Sequence, residues 1–379
     1  MKPLQDILVI DLSQLLSAPS ATLRLADLGA RVIKVEQPKG DICRHLYVSN
    51  VNMNGDSSFF RAINRNKESF QANLKNHEEK ERILKLIGKA DVLIHNFRPG
   101  VVERLGMDHD SIKKINPEIV YGEISGYGKE GPWKNKPGQD LLVQCLSGLT
   151  WLNGNDSNEP IPVGLAIADI LSGAHLVQGI LAALLKKIKT GKGSKVSVSM
   201  LESIIDFQFE SITTFYNDGG QPTMRPKSNS AHAYLGAPYG VYKTLNGHIA
   251  LAMGSIPFIG ELIKCAELLD YQEPSCWFTE RDSIKEIIAK KINTQTTEYW
   301  LSILEPADIW CADILDWKSL FNHEGFKVLD MIQKVTMTDG YKYATTRCPI
   351  KIDGEYFKSS LGSPILGEHT SKIAREFKI

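Results

Sequence analysis

The chain has little of what would mark a secreted, metal-bound or nucleic-acid-binding protein. Its six cysteines (Cys43, Cys145, Cys265, Cys276, Cys311, Cys348) contain no CxxC pair and no repeated spacing. That scatter argues for reduced thiols, against a disulfide framework, and against a structural metal. Charge of one sign is not in excess: Lys plus Arg and Asp plus Glu are 44 each. Such a balance speaks against nucleic acid or an acidic membrane face as an obligatory partner. No run approaches 18 uncharged apolar residues, and Met1–Gln5 leads straight into Ile7–Asp11, too short and too acidic at its end for a signal peptide. The expectation is a soluble, cytoplasmic protein with no membrane partner. Glycine is also missing where a dinucleotide site needs it. The turn after the first strand reads Leu12-Ser13-Gln14-Leu15-Leu16-Ser17-Ala18-Pro19, so the close backbone approach that GxGxxG allows is absent. Glu36, at the end of the second strand, therefore gives little reason to expect NAD, and Thr190-Gly191-Lys192-Gly193 is a turn without Walker spacing.

What is present is alternation. Ile7–Asp11, Arg31–Glu36, Ser69–Leu74, Asp91–Asn96, Ile119–Ser125 and Lys195–Met200 read as strands. Between them Pro19–Leu28, His77–Lys89, His109–Ile115 and Gln139–Trp151 read as helices. At 379 residues two domains are expected. The first is a doubly wound, Rossmann-like α/β domain over residues 1–210, rejoined by 330–379. A smaller α+β domain is expected at 225–325, with linkers at 211–224 and 326–340 marked by Gly, Pro and polar residues. Within it Leu245-Asn246-Gly247 reads as a hairpin turn between Tyr239–Thr244 and His248–Ala252. Helices are expected at Pro257–Leu269, Arg281–Lys291 and Thr297–Leu304.

One carboxylate stands out. Asp169 is the first acidic residue of a long apolar helix in which Ile170–Leu185 is almost entirely Leu, Ile, Val, Ala and Gly. A carboxylate in a first helical turn is stabilised as the anion by the helix dipole and free N–H groups, so Asp169 reads as a helix cap. Its other reading is an activated nucleophile, which the local pattern alone does not select.

Several runs together resemble the class III coenzyme A transferases, a family that also contains the 2-methylacyl-CoA racemases. They are Gly29-Ala30-Arg31-Val32-Ile33-Lys34-Val35-Glu36 with Gly40-Asp41, Asn66-Lys67-Glu68-Ser69, Ala90 to Gly100, and Arg104-Leu105-Gly106. Ile115-Asn116-Pro117, Ser125-Gly126-Tyr127-Gly128, Thr190-Gly191-Lys192-Gly193 and Gly362 to Gly367 complete the set. Each run is weak alone; their order and spacing across essentially the whole chain are specific.

The resemblance implies CoA transfer from an acyl-CoA to a small carboxylic acid. Asp169, at the family's nucleophile position, would attack the thioester and carry an aspartyl-CoA intermediate, with neighbouring backbone N–H groups for the oxyanions. No permanently bound cofactor is implied; coenzyme A or acyl-CoA is substrate. CoA contacts would fall on Leu15, Leu16, Ser17, Lys39, Lys75, Asn96, Phe97, Arg98 and Arg104, the cations for its phosphates and the apolar groups for adenine or the pantetheine arm. Gln139, Asp140, Met253 and Gly254 would line the substrate pocket, and the chains would form an interlocked homodimer.

Two departures narrow that reading. Leu16 replaces a polar residue found in some members, and Ala252-Met253-Gly254-Ser255 keeps one glycine where formyl-CoA-type enzymes have a multi-glycine lid. The rival is the racemase, whose Gly-His-Asp run is here Gly138-Gln139-Asp140; glutamine is no general base. His175 lies roughly 9 Å along the helix from Asp169 and reads as a core residue. A second rival is a non-catalytic CoA-binding homologue that keeps Asp169 as a cap.

Overall fold

The computed structural model describes residues 2–379. Two compact units share the chain. The first takes residues up to Val143, Ala166–Phe207 and Val328–Ile379; the second takes Gln144–Leu165 and Gln208–Lys327.

The first unit is built on six parallel strands: β1 (Leu8–Asp11), β2 (Arg31–Glu36), β3 (Glu68–Gln71), β4 (Val92–His95), β5 (Val120–Ser125) and β6 (Ser194–Ser199). Their order is β3-β2-β1-β4-β5-β6. The chain winds one way from β1 to β3 and the other way from β4 to β6. The loops after β1 and β4 therefore diverge, and a crevice opens at the carboxyl ends of these two strands, where ligands of doubly wound sheets bind.

Helices cover both faces. On one, α1 (Ser17–Asp27) lies against the long helix that Asp169 opens. On the other, α2 (His77–Ile87) starts on Asn76, whose side chain accepts from Glu79 N. Its Ile83, Leu86 and Ile87 share a core with Ile10, Ile33, Phe70, Leu93 and Tyr121. Then come α3 (Val101–Leu105), α4 (His109–Ile115), α5 (Asp140–Leu146), α6 (Ile167–Thr190) and α7 (Met200–Phe207). By length and composition α6 could cross a membrane. Here it lies on the sheet, with Leu176 and Ile180 methyls 3.2 Å from where a Cβ on Gly122 of β5 would stand.

In the second unit, α8 (Phe209–Asn217) precedes an antiparallel sheet of β7 (Gly240–Lys243), β8 (His248–Met253) and β9 (Trp310–Asp313), with β8 central. The hairpin closes at Leu245-Asn246-Gly247, where Thr244 N donates to Gly247 O at 3.0 Å. Tyr242, Ile249 and Leu251 pack on α9 (Arg281–Ile292) and α10 (Thr297–Leu304). The chain then returns to the first unit through the hairpin β10 (Ile332–Thr336) and β11 (Lys342–Thr346), and ends in α11 (Thr370–Phe377), whose Ile373 enters the α2 core.

Four boundaries differ from those read in the sequence, and one of them is Pro257–Leu269, which Lys264, at φ 54°, breaks into a helix at Ile256–Leu262 and a short 3-10 turn at Ala266–Asp270. Gln139–Trp151 is not one helix: Gly148, at φ 84°, breaks it into Asp140–Leu146 and Leu149–Leu152. Residues 144–165 belong to the second unit, because the Arg225 guanidinium ties them there by donating to Asn153 O at 2.7 Å and Asn158 O at 2.5 Å. The expected linkers also hold structure, α8 across 211–217 and β10 within 326–340. Composition marks turns, whereas unit membership is decided by contacts between distant segments.

Candidate active site

The loop between β1 and α1 is held from beneath by buried charge. Lys34 Nζ donates to Ser13 O at 2.7 Å and pairs with Asp41 at 2.8 Å. Asp11 accepts from Ser13 N at 2.9 Å and Thr22 Oγ1 at 2.6 Å and pairs with Lys67 at 3.2 Å. Glu36 is engaged by Arg44 at 2.7 Å and by Ser69 Oγ at 2.7 Å, so it is spent on structure. With no glycine in the loop, Leu15 itself adopts φ 64°, the left-handed region. Leu15 is exposed; Leu16 and Ser17 are buried and start α1.

Asp169 is half-buried in the first turn of α6. It does not cap that helix. Asp140 does so from α5, its Oδ1 accepting from Ala168 N at 2.7 Å and Asp169 N at 3.2 Å. These two N–H groups, next to the Asp169 side chain, are thus engaged by Asp140. The Asp169 carboxylate instead lies near Ser17, at the start of α1. Burial, reinforced by the negative charge of Asp140, pushes its pKa up to about 7 against the opposing pull of the polar groups of Ser17.

Two glycine contacts make this arrangement possible. A Cβ on Gly173, one turn along α6, would stand 2.6 Å from Ser17 O, so only glycine lets α6 approach α1 this closely. Gly126 and Gly138 meet backbone to backbone, a Cβ on either standing 2.6 Å from the Cα of the other, which brings Gln139 and Asp140 to the loop after β5.

The expected CoA-contacting residues divide. Lys75, Phe97 and Arg104 line one cavity of about 540 Å³ with Leu12, Gln14, Val35 and Leu74 at the carboxyl ends of β1 to β3. Lys80, on α2, lines it too and was not singled out in the sequence, where it is one charge of many on a polar helix face. Lys39 is exposed and is not part of this lining. Arg98 is also exposed and borders a separate small crevice with Glu103, Glu123 and Lys129. Asn96 is committed to the β1–α1 loop: its Oδ1 accepts from Gln14 N at 2.9 Å and its Nδ2 donates to Gln14 O at 2.6 Å.

Gln139 is exposed. Met253 and Gly254 belong to the second unit, at the end of β8, where Gly254 has φ 152° and lies against Ile259 and Ile309. His175 Nδ1 is 3.0 Å from Ser203 Oγ, and its Nε2 is 3.6 Å from Asp206.

Comparison with known proteins identifies the family. The family described as CoA-transferase family III matches residues 4–370. The succinyl-CoA:glutarate CoA-transferase of Mus musculus is 28% identical over 383 residues, spanning 99% of this chain and 86% of its own. The acetyl-CoA:oxalate CoA-transferase of Acetobacter aceti is 31% identical over 389 residues, spanning 99% and 96%. A solved CaiB/BaiF family protein from Brucella suis superposes with a TM-score of 0.85 at 27% identity, covering 99% of each chain. This chain belongs to the CoA-transferase family III.

Proposed function

We propose that this protein moves coenzyme A from an acyl-CoA donor to a carboxylic acid acceptor, with Asp169 as the nucleophile. The observation that carries the proposal is the division of labour between two aspartates. Asp140 caps α6, which leaves the Asp169 side chain free of capping duty, half-buried and facing Ser17.

In the proposed course a carboxylate oxygen of Asp169 attacks the thioester carbonyl, the C–S bond breaks, and CoA leaves as thiolate with an acyl-aspartyl anhydride formed. The thiolate then attacks the Asp169 carbonyl carbon of that anhydride, releasing the donor acid and leaving an aspartyl-CoA thioester. The acceptor carboxylate displaces the thiolate once more, giving a second anhydride, and thiolate attack on the acceptor's acyl carbon yields the new acyl-CoA and restores Asp169. A carboxylate is a weak nucleophile in bulk water, and partial burial with directed donors both orients and activates it. As each oxyanion forms, the Ser17 hydroxyl and N–H are the donors at hand.

The cavity holding Lys75, Lys80, Arg104 and Phe97 suits the phosphates and adenine of CoA, three cations beside an aromatic face. Gln14 lines this cavity and lies three residues from Ser17, so the β1–α1 loop offers a path of roughly 10 Å for the pantetheine arm. No observation favours the racemase: Gln139 lacks a titratable group and His175 is engaged by Ser203. Exposed Leu185 and Ile188 on α6, and exposed Phe209 and Tyr216 on α8, support a homodimer, which sedimentation would register as twice the chain mass.

Trapping tests the chemistry. Protein mixed with an acyl-CoA and treated with hydroxylamine should yield a hydroxamate on Asp169, absent in Asp169→Ala. No adduct in the wild type, with CoA exchange undiminished in Asp169→Ala, would end the proposal.

A further inference from the structure

His95 ends β4 and is buried, two residues before Phe97. Both of its ring nitrogens have partners. Nδ1 accepts from Phe97 N at 3.3 Å, and Nε2 is 2.9 Å from the hydroxyl of Tyr121 on β5, which itself donates to Met107 O at 3.0 Å. These partners decide the tautomer. A backbone N–H can only donate, so Nδ1 is the bare nitrogen and Nε2 carries the proton. The Tyr121 oxygen accepts that proton's bond, and its own proton goes to Met107. Turned over, the ring would set carbon atoms against both the Phe97 N–H and the Tyr121 hydroxyl.

The same ring packs on Phe97. Their centroids are 5.7 Å apart and their planes 20° apart, while the Tyr121 ring meets His95 edge-on at 5.3 Å. One side chain thus holds Phe97 at two points, at its N–H and on its ring. Phe97 lines the cavity of Lys75, Lys80 and Arg104, and His95 does not. The charged groups facing His95 are Glu123, Lys129 and Lys195. Glu123 stands 3.8 Å from Nε2, and it is taken up by Lys129 at 2.9 Å, Lys195 at 3.1 Å and Ser197 Oγ at 2.7 Å. Burial pushes the His95 pKa down to about 4 despite Glu123, so the neutral ring that the hydrogen bonds require is the ring present near pH 7.

We propose that His95 is a positioning residue for Phe97: its imidazole fixes the main chain and the ring of Phe97 in the wall of the cavity, and so sets how tightly the protein holds the adenine end of coenzyme A. Tyr121 serves the same end by fixing the imidazole. The effect on affinity rests on the CoA reading of that cavity given above, whereas the hold on Phe97 belongs to the resting protein.

Two measurements on the full-length protein test this. Without CoA, long-range proton–nitrogen-15 spectra should show His95 as the neutral Nε2–H tautomer at pH 7, assigned by its loss in His95→Phe. The Phe97 amide should exchange with solvent about tenfold faster in that variant. Calorimetry with CoA should then find binding about fivefold weaker in His95→Phe, which keeps the ring shape and removes both nitrogens. The same substitution should cost less than about twofold in a Phe97→Ala background. His95→Asn, whose Oδ1 replaces Nδ1 as the acceptor, should bind CoA within about twofold of wild type. Should His95→Phe not fold, His95→Gln, which reaches Tyr121 and leaves the Phe97 N–H unmet, takes its place in both measurements. A charged or Nδ1–H His95 at pH 7 overturns the positioning role. So does a Phe97→Ala that weakens CoA binding while the His95→Phe loss is absent or adds in full to it. If tautomer and exchange come out as expected but neither Phe97→Ala nor Arg104→Ala weakens CoA binding, the hold on Phe97 stands, and the CoA reading of the cavity falls together with the effect on affinity.

Discussion

Asp140 and Asp169 are joined side chain to main chain: Asp140 Oδ1 accepts the Asp169 N–H at 3.2 Å while also holding the Ala168 N–H at 2.7 Å. One aspartate ends the helix so that the other need not. The same proximity places two negative charges together, and that, after burial, keeps the Asp169 carboxyl near neutrality in its affinity for protons.

Activity should follow that titration. With Asp169 needed as the anion and its pKa at about 7, kcat/KM of the free enzyme should rise with pH through about 7 and level off above 8. A pH–rate profile flat between pH 5 and 8 contradicts this.

Stability should run the other way. The folded protein binds the Asp169 proton up to about pH 7, whereas the unfolded chain releases it near its ordinary value of 3.8, so the native state holds the extra proton between them. Unfolding free energy therefore falls as pH rises from about 4 to about 7. Asp169→Asn lacks that loss and should be more stable than wild type at pH 8 by about 1–2 kcal/mol, the raw linkage being reduced because the group is half-exposed. Urea melts at pH 4.5 and pH 8 measure the difference.

Asp140 can be divided into charge and cap. Asp140→Asn keeps an acceptor for the α6 N–H groups but removes the negative charge, so the pH–rate midpoint should move down. Asp140→Ala also loses the cap and should cost about 1 kcal/mol of stability. Equal melting behaviour of the two variants would show that the cap contributes nothing.

The two glycine contacts should be intolerant. Gly126→Ala or Gly138→Ala puts a methyl 2.6 Å from the opposing Cα, and backbone cannot swing aside as a side chain can. Each should cost about 1–3 kcal/mol and displace Asp140 from α6, lowering kcat. Gly128→Ala meets no neighbour within 4 Å, though its φ of 83° still strains it, and makes a useful contrast.

Cation removal should separate the expected CoA contacts. Lys75→Ala and Arg104→Ala should each weaken CoA binding about tenfold, with less effect at high salt, while Lys39→Ala changes it little. Calorimetry with CoA and with its 3′-dephospho form locates which phosphate each cation serves.

The alternation of strand and helix, the β7–β8 hairpin and the first turn of α6 were readable because they depend on local periodicity and turn chemistry. Thr297–Leu304 and Arg31–Glu36 were placed to the residue. The C-terminal α11 was missed, since Thr370–Phe377 is short and polar and only its packing of Ile373 into the α2 core makes it a stable helix. The break at Gly148 was missed because the apolar pattern runs straight through it.

At the site, sequence determined which residue types stand at the strand ends and at the head of α6: Asp169, Asn96, Phe97, Arg104, Lys75. It could not say which aspartate caps the helix, because Asp140 lies twenty-eight residues from the N–H it accepts, that of Ala168. Nor could it show that Asn96 is spent on Gln14 and Ser17, that Lys80 joins Lys75 and Arg104, or that Lys39 and Arg98 lie elsewhere. Those are facts of distance across the crevice between β1 and β4, set by strand order and by the glycine contacts that bring α1, α5 and α6 together. The ionisation of Asp169 belongs to the same class: its two causes, burial and Asp140, exist only once the chain is folded.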